Sequence, residues 1–478
     1  DELGSALTNA FITTDFSEAL LELVTPTFTD ADNCLSFLTD LHSFVHKSID
    51  KEFLWPLSMP CSIDANEDVG IGEYGTSNSG KMKSVYRKGL AHRYGSKMQA
   101  IAGIHYNFSF PDDFFLKIAD FKGLKDEEIK DIKSEIYLGM ARNFKRFEWL
   151  YFLLFGASPA FSETFTEKNL NRFERSAKGS YFKKQATSLR MGDLGYISET
   201  QDDLNISINS IQEYIQDLKT ALTKTHVDYE NIGEFLNEKR IQLNTSVIQI
   251  ENEYYSTIRP KRICPSGERP INILSSQGIE YLELRCVDLD PFNPIGIDRS
   301  QIDFLDAFLL FCLTKESQPL DKKEVSLLKE NHQKIVNDGR NPNLKIYAQK
   351  GEVKVSELAK ELLEEMNKIS EESKEYVFEE KNNHWSESLQ KQKEKIEDLN
   401  LTPSGKVIER LINNNLSHEE LGMEIAEKNL AFFENYNNSR EEEFKREASL
   451  SKEQQKKMES QKGPAFEEYL AEFLNKVS

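Results

Sequence analysis

The chain has 478 residues, room for one large core or two modest ones, and its 80 Asp and Glu against 60 Lys and Arg give a formal charge of -20. That sign excludes a general affinity for nucleic-acid phosphates or anionic membranes, and no apolar run approaches the roughly 20 residues that cross a bilayer. Cys34, Cys61, Cys264, Cys286 and Cys312 are scattered without CxxC spacing, a poor disulfide or zinc framework that points to a soluble protein of the reducing cytoplasm.

At Asp1 no basic stretch leads into an apolar run, so no secretory signal is visible. Shortly after, Glu22 sits among Leu20, Leu21, Leu23 and Val24. A carboxylate in such company is costly unless paired or bound to a cation, and hard oxygen donors are what magnesium takes. A salt bridge or an exposed strand face is the plainer alternative. Residues 75–81, Gly-Thr-Ser-Asn-Ser-Gly-Lys, follow the phosphate-loop pattern until Met82 replaces the hydroxyl that would hold magnesium. No buried strand precedes Gly75, so this is a chance match in a loop.

Residues 103–110 alternate strictly, with His105, Asn107 and Ser109 on one face and Ile104, Tyr106, Phe108 and Phe110 on the other, predicting a strand with one polar side. Residues 204–222 place Ile208, Ile211, Ile215 and Leu218 on one helical stripe. Residues 247–255 read as a further strand, setting Ile248 and Ile250 against Gln249, Glu251 and Glu253. Residues 279–290 alternate Leu282, Leu284 and Cys286 with Tyr281, Glu283 and Arg285. Glu283 and Arg285 thus share a face. They suit a magnesium ion and the phosphoryl oxygens beside it, or a structural ion pair, and spacing alone does not choose. A solvent-facing antiparallel sheet also offers polar groups on one side.

Beyond about Leu313 the chain turns to long charged helices, with Val355, Leu358, Leu362, Met366 and Ile369 at near-heptad spacing. Val336-Asn337-Asp338-Gly339 with Pro342 closes the helix before them. The charge-rich stretch 449–461 is expected to be a solvated helix face. The division expected is a sheet-and-helix catalytic core over 1–312 and a helical region over 313–478 leaning on it.

Eight segments together resemble the proteobacterial glutamate–cysteine ligases. They are Ile12-Thr13-Thr14-Asp15-Phe16 with residues 18–26, Trp55-Pro56-Leu57-Ser58-Met59-Pro60-Cys61, residues 103–109, and Phe155-Gly156-Ala157-Ser158-Pro159-Ala160. Ala186-Thr187-Ser188-Leu189-Arg190, Gln249-Ile250-Glu251-Asn252-Glu253, Ile258-Arg259-Pro260-Lys261-Arg262, and Gly278-Ile279-Glu280-Tyr281 with Glu283-Leu284-Arg285 complete the set. Their order and separation agree with the family's, and Pro464-Ala465-Phe466 resembles its ending.

The resemblance implies an α+β fold, a curved antiparallel sheet like that of glutamine synthetase and the guanidino kinases, with surrounding helices. It implies that ATP phosphorylates the γ-carboxyl of glutamate and that the amine of cysteine then displaces phosphate, with Mg2+ (or Mn2+) as the cofactor. Asp15, Glu22, His105 and Glu283 match the family's metal residues, with Glu18 a weaker match. Arg285 and Arg87 match residues near the transferred phosphate, and Arg190 the holder of the glutamate α-carboxylate, where a planar fork suits. Gln99 and Asn107 line the same region, and Phe16, Tyr86, Tyr196 and Tyr255 correspond to the cysteine side-chain pocket. Without the resemblance each of these aromatics reads as core packing. Arg259, Lys261 and Arg262 either face ATP phosphates or form a surface basic cluster.

Small-molecule substrates, no nucleic acid or membrane partner, and a monomer are expected. Family members carry a strand with two glutamates before the segment matching Asp1, so a cut chain or a truncated relative that only binds ligand is one alternative. A ligase with another amine acceptor is the other.

Overall fold

The computed structural model describes residues 2–123, 129–195, 204–265, 267–348, 351–373 and 379–477. The polar and apolar halves of the molecule meet at a three-stranded antiparallel sheet in which Tyr281–Val287 lies between Ile104–Phe108 and Ile258–Lys261. Glu283 faces Asn107 on one side and Arg259 on the other, so three polar side chains form one cross-strand row. Leu282 and Leu284 sit opposite Phe108 and Tyr106 and turn the other face inward. The pairing with Ile104–Phe108 becomes irregular between Leu284 and Val287, while on the other side the Arg285 amide continues the regular register by donating to the Thr257 carbonyl at 2.9 Å. Pro260 is tolerated because its strand is at the sheet edge.

The inward face rests on the helix Ile129–Phe155, which is amphipathic at first but buried all round from Trp149 to Phe155. Phe144 and Phe152 pack there in one core with Leu282, Leu284 and Cys286, and with Phe304 and Phe308 of the helix Arg299–Thr314. Ile335, Leu363 and Leu389 bring the later helices Lys322–Asp338, Val355–Glu372 and Glu379–Glu397 into the same core. The mixture of helices with small antiparallel sheets is α+β. Among the described residues no helix is long and apolar enough to cross a membrane.

A separate hairpin pairs Ile12–Thr14 with Leu21–Leu23. Its apolar side, Ile12 with Leu21 and Leu23, packs on Phe37, Leu41 and Phe44 of the helix Ala31–Ser48, which frees Glu22 to face the other way. The segment before the hairpin is tied to the helix Glu441–Ser460: Ser5 N donates to Ser451 Oγ at 3.0 Å, Thr8 Oγ1 to Ser451 O at 2.6 Å and Ala10 N to Glu447 Oε1 at 2.9 Å. Ala448 and Ser451 are therefore buried, so the stretch 449–461 is not solvated on every side.

Two expected elements differ. Residues 247–255 form a loop with the short 3-10 turn Glu251–Glu253 instead of a strand. Gln249 accepts the Leu243 amide at 2.9 Å and Glu253 accepts the Gln249 amide at 2.7 Å, so side chains take the place of a partner strand. The helix expected from residue 204 begins at Ile211, because Ser210 caps it by accepting the Glu213 amide. The carbonyls of Ile208 and Asn209 instead receive the Arg142 guanidinium at 3.1 and 3.0 Å. The phosphate-loop look-alike ends in the Ser77 cap of the helix Asn78–Tyr94, and its Thr76 amide donates to the Glu459 carboxylate at 2.8 Å.

His42 and His46 stack on Phe433 with ring centroids 6.0 and 4.7 Å away. Burial lowers both from 6.5 to about 4, and His46 is lowered further by His42. As the pH falls from 6.5 to 4 the unfolded chain takes up these protons before the native one does, so stability drops across that window, on the order of 2 kcal/mol per histidine. Thermal melting followed from pH 7 to 4 should show this loss. It should be smaller in His46→Phe, which keeps the ring stack and removes one titrating group.

Candidate active site

The sheet's polar face is crowded with opposite charges. Glu283 Oε2 lies 3.5 Å from Arg285 Nη1 and 3.8 Å from Arg259 Nη1, and Oε1 lies 3.9 Å from Lys261 Nζ. Burial raises the pKa of this carboxyl, but Lys261, Arg285 and Arg259 outweigh it and hold the group at about 2. Arg259 falls to about 10 through burial and the repulsion of Arg285. Arg262 points away, giving Nε to the Gly278 carbonyl at 2.7 Å. The basic cluster is thus split by strand alternation, with Arg259 and Lys261 inside and Arg262 on the rim.

The hairpin closes the opposite side. Glu22 Oε1 stands 3.8 Å from His105 Nδ1, and burial together with repulsion from Asp15 raises the Glu22 pKa against the pull of Arg285, Arg87 and Lys83. Its side chain is nevertheless 41% exposed, so its oxygens still reach water. Burial and the nearby Arg285 lower His105 to about 3, which leaves its ring neutral with a lone pair to donate. Among the described residues no three His, Cys, Asp or Glu side chains already converge closely enough to hold a metal ion. Asp15 and Glu22 nevertheless repel one another beside a neutral imidazole, and a hard divalent cation suits that donor set. Glu283, the fourth predicted ligand, is engaged by its three cations.

Arg87 is anchored by the backbone: Nη2 donates to Thr14 O and Nη1 to Lys83 O, both at 3.2 Å, and Nε donates to Asp15 O. Its guanidinium lies 4.5 Å from the Tyr74 ring centroid. Lys83, one helical turn earlier, lies 5.1 Å from the same ring and near Glu22. Sequence reasoning passed over Lys83; its spacing of four from Arg87 on a helix was the available signal.

Gln99 Nε2 donates to Tyr255 Oη at 3.2 Å, and Tyr255 meets Tyr94 edge-on at 6.0 Å. Tyr86 lies near both Tyr255 and Glu253. These three predicted residues gather, whereas Phe16 is buried at 1% exposure and Tyr196 lies outside the described residues. Asn107 stands beside Glu283 in the cross-strand row. Glu18 is exposed on the rim, where it accepts the Glu73 amide.

Arg190 is buried beside the strand Tyr281–Val287 and near His105, donating to Asp288 Oδ1 at 3.2 Å and to the Arg285 carbonyl at 3.0 Å. Asp288 is itself fixed by the Ala157 amide and Ser158 Oγ, each at 2.8 Å, and by Ser188 Oγ at 3.1 Å. Gly103 has to be glycine here, because a Cβ would sit 1.9 Å from Arg190 Nη2. A cleft of about 1230 Å³ opens next to Arg285 and Tyr255 and runs past Lys145, Glu148, Thr257 and His332.

The family model for glutamate-cysteine ligase matches residues 1–335. The chain is 41% identical to the glutamate–cysteine ligase of Alcanivorax borkumensis, with 99% of this chain and 91% of that one aligned. The chain belongs to the glutamate–cysteine ligase family. The ligase of Pseudomonas putida KT2440 is also 41% identical, over 88% of this chain and 80% of that protein. A crystal structure of the Francisella tularensis ligase in complex with AMP superposes with a TM-score of 0.91 at 36% identity, covering 99% of this chain and 92% of that chain. A bifunctional glutathione synthetase from Pasteurella multocida shares the fold at TM-score 0.69 and 23% identity, covering 94% of this chain and 53% of that one. The polar sheet face described above is thus the candidate active site of a glutamate–cysteine ligase family member.

Gly103→Ala tests how tightly this site is built. The added methyl displaces the Arg190 guanidinium, so we expect a stability loss of about 1–3 kcal/mol, the usual cost of overpacking. Chemical denaturation measures it, and an unchanged midpoint would show that the two groups are not in contact.

Proposed function

We propose that this chain joins the amine of L-cysteine to the γ-carboxyl of L-glutamate at the expense of ATP. A γ-carboxylate oxygen attacks the γ-phosphorus of ATP and ADP leaves. The cysteine nitrogen then attacks the acyl carbon of the γ-glutamyl phosphate, phosphate departs with the bonding pair, and the amine gives up a proton. The observation that carries this reading is the polar sheet face, where cationic Arg285, Arg259 and Lys261 flank Glu283 and look across at Arg87, Asp15 and Glu22. Phosphoryl transfer needs charge neutralisation and positioning more than covalent help from the protein, and this face supplies both.

Arg285 and Arg87 stabilise the transferred phosphoryl group, and the bond of Arg87 to the hairpin backbone fixes its approach. Arg190 receives the glutamate α-carboxylate in a region that Gln99 and Asn107 also line, while Phe16, Tyr86, Tyr196 and Tyr255 are assigned to the cysteine side chain. Asp15, Glu22, His105 and Glu283 would hold magnesium, which when bound neutralises phosphate oxygens. In this reading the three-stranded sheet belongs to a curved antiparallel sheet of the glutamine synthetase and guanidino kinase type. Five free cysteines suit a reducing cytoplasm.

Incubating the chain with ATP, magnesium, glutamate and cysteine should yield γ-glutamylcysteine and phosphate in equal amounts, and no product at saturating substrates would refute the assignment. Replacing cysteine by 2-aminobutyrate or ammonia in the same assay defines the acceptor. Arg285→Ala should lower kcat by at least about a hundredfold, the scale of losing one transition-state charge contact, with melting within a few degrees of the parent. Near-normal turnover in that variant would remove Arg285 from the phosphate site.

A further inference from the structure

Three of the sequence segments have no part in the reading above: residues 55–61, residues 155–160, and residues 186–190 apart from Arg190 itself. All three close around Asp288, the residue that follows the strand Tyr281–Val287. The second segment gives its Oδ2 the Ala157 amide and the Ser158 hydroxyl, both at 2.8 Å. The third gives its Oδ1 the Ser188 hydroxyl at 3.1 Å and Arg190 Nη1 at 3.2 Å. From the first, Ser58 Oγ accepts the amide of the neighbouring Leu289 at 2.8 Å, and the Ser58 carbonyl accepts the Ala102 amide at 2.9 Å.

Stability does not account for such a pair. Both side chains are 1% exposed, and taking two charges out of water costs about as much as their attraction returns, so a buried ion pair adds little over an apolar one. What the pair does is aim. A guanidinium is a rigid fork with five N–H donors. Asp288 holds Nη1, the Arg285 carbonyl holds Nη2 at 3.0 Å, and Gly103 closes in on Nη2 so nearly that a Cβ would come within 1.9 Å. The plane of the fork is thereby fixed, close enough to His105 for its charge to oppose protonation of that ring. The Ala157 amide and the two serine hydroxyls share the charge of Asp288, so the carboxylate orients Arg190 without cancelling it.

We infer that Asp288 is the positioning residue for glutamate selection: held by residues 157, 158 and 188, it sets the angle at which Arg190 meets the α-carboxylate. The inference rests on the assignment of that carboxylate to Arg190 and extends it to a residue that touches no substrate. Asp288 lies three residues beyond Arg285 in the chain. One strand therefore carries the contact for the transferred phosphate and, just past its end, the group that aims the contact for the α-carboxylate. The distance between the two ends of glutamate is thus measured along a single piece of backbone, and the three segments keep its far end still.

The test follows phosphate release with magnesium present while ATP, glutamate and cysteine are varied in turn. Asp288→Asn keeps the shape of the side chain and an acceptor oxygen for Ala157 and Ser158, and it loses the charge that draws Arg190. The KM for glutamate should rise roughly ten- to hundredfold, the range of one charge-assisted hydrogen bond, while kcat and the KM values for ATP and cysteine stay within about threefold. The preference for glutamate over 4-aminobutyrate, which is glutamate without its α-carboxylate, should shrink by the same factor. Ser188→Ala keeps the carboxylate and removes one donor from its Oδ1. It should show the same pattern on a smaller scale, and it carries the prediction if the asparagine variant does not fold. Arg190→Gln should itself raise the KM for glutamate, and adding Asp288→Asn to it should cost less than about threefold more, because Asp288 acts through Arg190. An unmoved KM for glutamate in the Asp288 and Ser188 variants, equal rises for all three substrates, or a full further loss in the double variant would each overturn the positioning role. An unmoved KM in Arg190→Gln removes the assignment of the α-carboxylate to Arg190, and a parent enzyme that releases no phosphate refutes the ligase reading itself.

Discussion

The register of Tyr281–Val287 between its two neighbours is the constraint on which the polar face depends. Side chains alternate along a strand, so slipping the pairing by one residue would turn Glu283 and Arg285 into the core and Leu282 and Leu284 out to water. The core forbids that slip, because the inward residues are fitted against the buried end of the helix Ile129–Phe155. Hydrophobic packing on one side of the sheet thereby sets the positions of charges on the other.

Those charges are balanced unevenly. Glu283 has three cations within 3.9 Å, an arrangement that keeps it ionised although it is buried. Across the site, Asp15 and Glu22 have no comparable surplus, and Glu22 is correspondingly pushed toward its neutral form. The strand side is therefore rich in positive charge and the hairpin side in negative charge. A polyphosphate and a divalent cation would complete the two halves in complementary ways.

Much of this was legible from the chain itself, and the failures have definite causes. Residues 103–110 and 279–290 alternate because they are paired strands with one buried face, and the structure has strands there. Residues 247–255 alternate equally well, but Gln249 and Glu253 are buried polar groups satisfied by backbone amides, a pattern that periodicity cannot tell from a strand. The helical stripe extended too far back because Ile208 falls in phase with a helix that Ser210 has not yet started. Spacing could not choose between ligand and ion pair for Glu283, since its cations come from two strands. The role of Lys83 was harder to read because Glu22, the carboxylate it faces, lies far away along the chain.

The ties between residues 5–10 and the helix Glu441–Ser460 bear on how the protein is made. The segment leading into the hairpin that carries Asp15 and Glu22 is held by Ser451 and Glu447, 437 to 446 residues away along the chain. Contacts of such sequence separation form late and slowly. One half of the candidate site is therefore locked in place only once the helix Glu441–Ser460 has been made and has docked.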